Sequence, residues 1–331
     1  MTHLTSPVSW QLPPIGVGTG AWGSPFPPLA QEKAVELVEF TLSQGLAFFD
    51  TAPAYAHGLS EPWLGLGLRG VARDRFLVST KVGRYWGEDG LSHTDWSRDG
   101  ILRSVETSRK RLRLEQIDIV HLHDLGWPPE SYQQAMAGAD PTLVELRAQG
   151  VIRAIGAGVN RPNVLLDLTR QAPFDCFLLA NRYTLLEQGA LELLDVCQAQ
   201  GIAIFLGGVY NTGILATGAI PEAHYDYRPA PPQIVERVQQ IEAVCTRYAV
   251  PLRAAALQFP LAHPAVKSLV IGTRSPEEFA DTLALQCHPI PAEFWNDLLA
   301  GGLLLPESPL PGIAMHSSDK LRAEEAAKGA K

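Results

Sequence analysis

Three features of the sequence predict an α/β protein folded as a closed (β/α)8 barrel, the TIM-barrel architecture. Short apolar runs of strand length alternate with longer runs of helical spacing. The alternation repeats eight times over about 290 residues, the count such a barrel needs. Titratable residues stand where three successive strand-like runs end, at Asp50, Lys81 and His123. A doubly wound open sheet is the competing arrangement, but no pair of mononucleotide-binding halves is visible.

The first strand is the Gly-rich run at 15–18, continuing to Gly20. No G-x-G-x-x-G follows, so its glycines fit a close approach to a ligand or to a neighbouring strand equally well. The helix at 31–43 follows from apolar spacing at Ala34, Val35, Leu37, Val38 and Leu42. Leu46-Ala47-Phe48-Phe49 reads as a short buried strand closed by Asp50, and Pro53 breaks the structure before Tyr55. A helix at 61–68 takes Ser60 as its expected N-cap. The strand at 75–80 ends on Lys81. The helix at 98–112 carries Ile101, Leu102, Val105 and Leu112 on one side, and the strand at 117–122 ends on His123. A helix at 141–148 stops before Gly150, a natural C′ residue. The second half repeats the rhythm, with strands at 151–157, 174–179, 202–206 and 268–271. Its helices fall at 164–169, 190–199, 233–248 and 277–285.

Two long segments, 82–94 and 210–232, interrupt the rhythm after the third and seventh strands. Both are βα-loops, so they belong to the face where barrels carry their sites. They read as walls of a substrate pocket or as surface decoration. Residues 1–305 are expected to form one barrel domain. The remaining 306–331 are expected to be a mobile tail or an isolated polar helix.

Composition narrows the function. With 46% hydrophobic and 19% charged residues, the 331-residue chain fits a folded globular protein. A formal net charge of −8 without a basic run argues against nucleic-acid binding. No apolar run reaches the roughly 18 residues of a membrane span, and the first residues lack a signal-peptide pattern. Cys176, Cys197, Cys245 and Cys287 show no C-x-x-C spacing, so no metal site is expected. They are expected to be buried free thiols of a cytoplasmic protein.

Asp50, Tyr55, Lys81 and His123 converge if their strands are parallel neighbours. An ammonium beside a phenol stabilises phenolate and lowers the phenol's pKa from about 10. Lys81 could supply that charge, with Asp50 holding it, while His123 orients an oxygen toward Tyr55. Such a set moves one proton at a carbonyl or carbinol oxygen, which is half of a hydride-transfer reaction.

These residues resemble the aldo-keto reductases, NAD(P)(H)-dependent (β/α)8 barrels with an Asp-Tyr-Lys-His tetrad. The matching segments are Phe49-Asp50-Thr51-Ala52 with Tyr55, Thr80-Lys81-Val82-Gly83, and Ile117-Asp118-Ile119-Val120-His121-Leu122-His123. The resemblance covers roughly residues 14–290 and implies Asp50, Tyr55, Lys81 and His123 as the catalytic set. His121, two residues earlier on the same side of its strand, is expected to be structural. For the cofactor the resemblance implies Asn160 at the nicotinamide amide. Asn181 stands where a glutamine is usual, so it substitutes or that bond is absent. Gly20, Gly207, Tyr210 and Gly272 complete the expected cofactor wall. Thr273, Arg274, Glu278 and Asp281 fall in the expected pyrophosphate and adenosine loop. NAD or NADP is expected, with NAD preferred because Glu278 would repel a 2′-phosphate; Arg274 is the residue that could pair with one.

Within the family the chain is similar to L-fucose, L-galactose and D-threo-aldose 1-dehydrogenases, with pyridoxal 4-dehydrogenase nearby. Ser97-Arg98-Asp99-Gly100, Ile155-Gly156-Ala157-Gly158, Tyr183-Thr184-Leu185-Leu186-Glu187-Gln188 and Ala255-Ala256-Leu257-Gln258-Phe259-Pro260 carry this likeness. It implies oxidation of a cyclic aldose at C1 to a lactone, with Tyr55 as general acid/base. Trp22, Tyr85, Trp86, His93, Asp124 and Trp127 lie in loops on the expected active face. They are expected either to hold a sugar or simply to cap the barrel mouth. A non-sugar substrate such as pyridoxal, or a regulatory subunit like the potassium-channel β subunits, is the alternative.

Overall fold

Short strands buried on both faces need cover inside and outside, and a closed parallel sheet ringed by helices supplies both. The structure, a computed structural model, describes residues 11–23, 26–126 and 130–312. Its eight barrel strands are β1 (Ile15–Gly18), β2 (Ala47–Asp50), β3 (Phe76–Val82), β4 (Ile117–His123), β5 (Ile152–Gly158), β6 (Cys176–Ala180), β7 (Ala203–Gly207) and β8 (Val266–Gly272). Each pairs in parallel with its sequence neighbours, and β8 closes on β1. The expected barrel is therefore present and the open sheet is not.

Side-chain alternation divides the core in two. Phe48, Ile119, Ala154, Cys176, Leu178, Phe205 and Val270 fill the barrel interior. Phe49, Val78, Val120, Leu179 and Leu206 face the helical ring, where Leu37, Leu64, Val105 and Leu257 meet them. The same alternation sends Asp50, Ser79, Lys81, His121 and His123 inward. Asp50 pairs in register with Ser79, Lys81 with His121, and His123 with Gly158. Gly16 answers the question left by the Gly-rich run: a Cβ there would stand 2.6 Å from Cδ1 of Phe48, so the neighbouring strand's ring needs the space.

Several local expectations change. Ser60 does not cap its helix; it is the first residue of Ser60–Gly67, and its hydroxyl is used elsewhere. That hydroxyl donates to Thr19 Oγ1 at 2.5 Å and shares a 2.8 Å bond with Thr51 Oγ1, tying the helix to the strand ends. The helix expected at 141–148 runs as Asp140–Ala148 and is entered through Ser131–Gln134 and a π-helical turn, Ala135–Ala139. Two further helices, Leu252–Leu261 and Ala292–Ala300, had no counterpart in the strand–helix count. The first follows its predecessor after a short turn through Ala249 and contains Pro260, which hid it. Both long loops fold into small hairpins, Arg84–Trp86 with Ser92–Thr94 and His224–Tyr225 with Arg228–Pro229. Cys287 is exposed, while the other three cysteines are buried and free as expected. The helix considered for the C-terminal tail lies outside the described residues. No described helix is long and apolar enough to cross a membrane.

Candidate active site

The C-terminal strand ends open into a cavity of about 500 Å³, within the usual size of a small-molecule site. Asp50, Tyr55, Lys81 and His123 all line it. β2 delivers Asp50 at its last residue. The next residues turn sharply, and Ala56 and His57 take left-handed backbone, φ 49 and φ 55. Two consecutive non-glycine residues in that region store strain, and they directly follow Tyr55.

Lys81 is 1% exposed and would be costly to bury alone. Its ammonium donates to Asp50 Oδ2 at 2.7 Å and to the Thr51 carbonyl at 2.8 Å. Ser79 donates to the other Asp50 oxygen at 2.6 Å. Burial works to lower the Lys81 pKa, but Asp50 and Tyr55 outweigh it and hold the value above the ordinary lysine range. Lys81 is therefore a fixed positive charge. It stands 4.5 Å from the centre of the Tyr55 ring. The balance at Tyr55 differs from the sequence expectation: burial raises its pKa, Lys81 lowers it, and the net shift is upward. The phenol is thus held protonated in the free protein.

His123 meets Tyr55 edge to face, with ring centroids 5.8 Å apart. Burial, with Lys81 and Arg84 helping and Asp124 opposing, lowers its pKa to about 4. At neutral pH it is a neutral imidazole, a donor through one nitrogen only. His121 lies beneath it in the barrel, fully buried, with neither ring nitrogen hydrogen-bonded among the described residues. Burial and the neighbouring Lys81 keep it neutral too. No cluster of metal-binding side chains occurs among the described residues.

The chain matches the aldo/keto reductase family over residues 14–300. It belongs to that family. This aldo-keto reductase is 36% identical to a pyridoxal 4-dehydrogenase of Microbacterium luteolum, covering 88% of this chain and 94% of the relative. It is 34% identical to a D-threo-aldose 1-dehydrogenase of Pseudomonas sp, covering 88% and 95%. It is 30% identical to an L-galactose dehydrogenase of Arabidopsis thaliana, covering 82% and 83%. In fold it resembles an aldo-keto reductase from Bacillus halodurans in its holo form, with a TM-score of 0.75 at 22% identity over 95% of this chain and 97% of that one.

Enzymes of this family use NAD(P)(H), and the cavity wall fits a nicotinamide. Asn160 lines it and accepts the Ala180 N–H through Oδ1, leaving its amide N–H groups for a ligand. Asn181 also lines it, with Oδ1 buried and unpartnered. Gly208 takes left-handed backbone beside it, and a Cβ there would come 2.2 Å from that oxygen. Gly20, Gly207, Tyr210 and Gly272 line the same wall. The other expected cofactor residues lie off the cavity. Thr273 is buried, with its hydroxyl on the Ile271 carbonyl. Asp281 pairs with Arg253, whose guanidinium also lies over the Tyr210 ring. The Arg274 guanidinium donates to the carbonyls of Ala21 and Pro27, while its backbone N–H donates to Glu278 Oε2 at 2.8 Å.

Of the expected substrate residues that are described, only Asp124 lines the cavity. Trp22 is fully buried, its indole N–H on the Thr273 carbonyl at 3.2 Å. Tyr85 and Trp86 instead line a second, smaller cavity behind the 84–94 hairpin, with Pro53 and Arg103. His93 is engaged by Asp89 and stacks on Tyr85. Trp127 lies outside the described residues. The sequence reading did not single out Phe26, Leu178 and Val270, which do line the cavity, and Tyr227, on the 210–232 loop expected as a pocket wall, lines it too. Leu178 and Val270 were findable, since period-two alternation points both inward near strand ends. Phe26 and Tyr227 sit in loops, where no periodicity marks direction.

Proposed function

We propose that this enzyme oxidises the C1 hydroxyl of a cyclic aldose to a lactone, using NAD or NADP. The observation that carries the reading is the buried Asp50–Lys81 pair beneath Tyr55, with neutral His123 across from it. A bound nicotinamide supplies hydride acceptance. The protein's part is to hold the substrate oxygen and move its proton. His123 orients the anomeric hydroxyl, and Tyr55 takes its proton. The charge on Lys81 stabilises the phenolate that this removal requires, and Asp50 keeps Lys81 in place. The aldose reading draws on likeness to two sugar dehydrogenases. Likeness to a pyridoxal dehydrogenase supports a second reading, an aromatic alcohol or aldehyde at the same groups.

NAD is the preferred cofactor in this reading. Glu278 holds its carboxylate at the start of the helix Pro276–Gln286, where it opposes a 2′-phosphate. Arg274 is already engaged by two carbonyls. Three buried free thiols favour a reducing, cytoplasmic setting. The test is cofactor-dependent nicotinamide absorbance across a panel of aldoses with pyridoxal alongside. Turnover of aldoses supports the first reading, and turnover of pyridoxal alone replaces it with the second.

A further inference from the structure

Asp124 directly follows His123 and takes left-handed backbone, φ 54, a conformation costly for a non-glycine residue. Its Oδ2 lies 2.7 Å from Arg84 Nη1 and 3.7 Å from His123 Nε2. Its Oδ1 has no hydrogen-bond partner among the described residues, although Asp124 lines the cavity. Arg84 arrives from another element, the first strand of the 84–94 hairpin. There its Nε donates to Ser92 Oγ at 3.0 Å, so the guanidinium links both hairpin strands to Asp124.

An ionised carboxylate only accepts hydrogen bonds. A ligand group that meets Asp124 must therefore bring a donor. The neighbouring oxygens of a vicinal diol lie about a hydrogen-bond length apart, and His123 and Asp124 are adjacent residues that both line the cavity, their nearest polar side-chain atoms 3.7 Å apart. A substrate whose reacting oxygen rests on His123 thus brings the hydroxyl of its adjacent carbon to Asp124. In the aldose reading, on which this rests, that group is the C2 hydroxyl. We infer that Asp124 is the acceptor for the C2 hydroxyl, that Arg84 positions it, and that the enzyme thereby selects 2-hydroxy aldoses over 2-deoxy ones. Arg84 touches no substrate. It occupies Oδ2 and leaves Oδ1 without a hydrogen-bond partner among the described residues.

The test compares kcat/KM for two sugar pairs, D-arabinose with 2-deoxy-D-ribose and L-fucose with 2-deoxy-L-fucose. The members of each pair differ only at C2. The wild-type enzyme is expected to favour the hydroxylated member by about 10–100-fold, as a hydrogen bond to a charged acceptor allows. In Asp124→Asn that ratio should fall at least several-fold. In Arg84→Gln it should fall less, mainly through a higher KM for the hydroxylated sugar. An unchanged ratio in Asp124→Asn, with both sugars still oxidised, overturns the inference and leaves the aldose reading standing. A salt bridge that only fastens the hairpin gives that unchanged ratio, because both sugars then lose equally. If the wild-type enzyme oxidises none of the four sugars but turns over pyridoxal, the aldose reading fails and the inference falls with it.

Discussion

The Lys81 ammonium stands 4.5 Å from the centre of the Tyr55 ring, and both groups line the floor of one cavity. A buried cation beside a phenol stabilises the phenolate more than the phenol, so the contact suits Lys81 to the acid/base role proposed for Tyr55.

Tyr55→Phe keeps the ring and removes the hydroxyl. Turnover is expected to fall by about 10²–10⁴-fold, the range of general acid–base contributions. Cofactor binding, measured by calorimetric titration, should stay nearly unchanged. A variant that keeps more than about a tenth of wild-type turnover contradicts the role.

Asp50→Asn leaves a buried ammonium without its counter-ion. Removing one partner of a buried pair costs about 3–5 kcal/mol, so the urea midpoint should drop clearly. Lys81→Met leaves the Asp50 carboxylate buried with the Ser79 hydroxyl but no counter-ion, so it should lower the midpoint by a similar amount, and it should also be severe for turnover. Equal midpoints for Asp50→Asn and wild type would show that the pair is not what holds Lys81.

The acid limb of stability should report the two barrel histidines. His123 is shifted from 6.5 to about 4 in the folded protein, and His121 is shifted in the same direction. Between those values the unfolded chain binds more protons. Stability is therefore complete above about pH 6.5 and is lost as pH falls toward 4, by on the order of 3 kcal/mol for His123. His121→Leu should make the slope of unfolding free energy against pH shallower between about 4 and 6.5. An unchanged slope would mean that His121 is not a neutral buried group.

The rate of oxidation should also rise with pH through the neutral range. Tyr55 must be deprotonated to act as base, and its pKa lies above the ordinary tyrosine value in the free protein. A pH–rate profile for kcat/KM that is flat from neutrality upward would contradict that assignment.

Much of this was legible in the sequence because strands carry a strict period. Phe48, Ile119 and Phe205 lie inside the barrel, and Asp50, Lys81 and His123 share its cavity mouth, as the ends of three successive strands implied. Loop residues were harder. Trp22 was expected to face the substrate, yet nothing in Gly20-Ala21-Trp22-Gly23 says that its indole turns inward to the Thr273 carbonyl, 251 residues away. Tyr85 and Trp86 sit on the expected loop, but a hairpin turns them toward the second cavity. The direction of the Tyr55 shift could not be read either, because Lys81 and burial oppose each other and only the degree of enclosure decides.

Cofactor choice has its own check. NAD is expected to bind more tightly than NADP in calorimetric titration, and Glu278→Gln should narrow the gap by relieving repulsion of the 2′-phosphate. NADP binding about tenfold tighter than NAD to the wild-type protein, a difference of about 1.4 kcal/mol, would reverse the preference.

The most direct measurement is rapid NMR of the first product formed from L-fucose, L-galactose and D-arabinose with NAD. A ring-closed sugar offering its anomeric hydroxyl to Tyr55 and His123 gives a lactone first, with the open acid appearing only as the lactone hydrolyses. Detection of the lactone before the acid is the predicted result. No oxidation of any of the three sugars, alongside brisk turnover of pyridoxal, would contradict the aldose assignment.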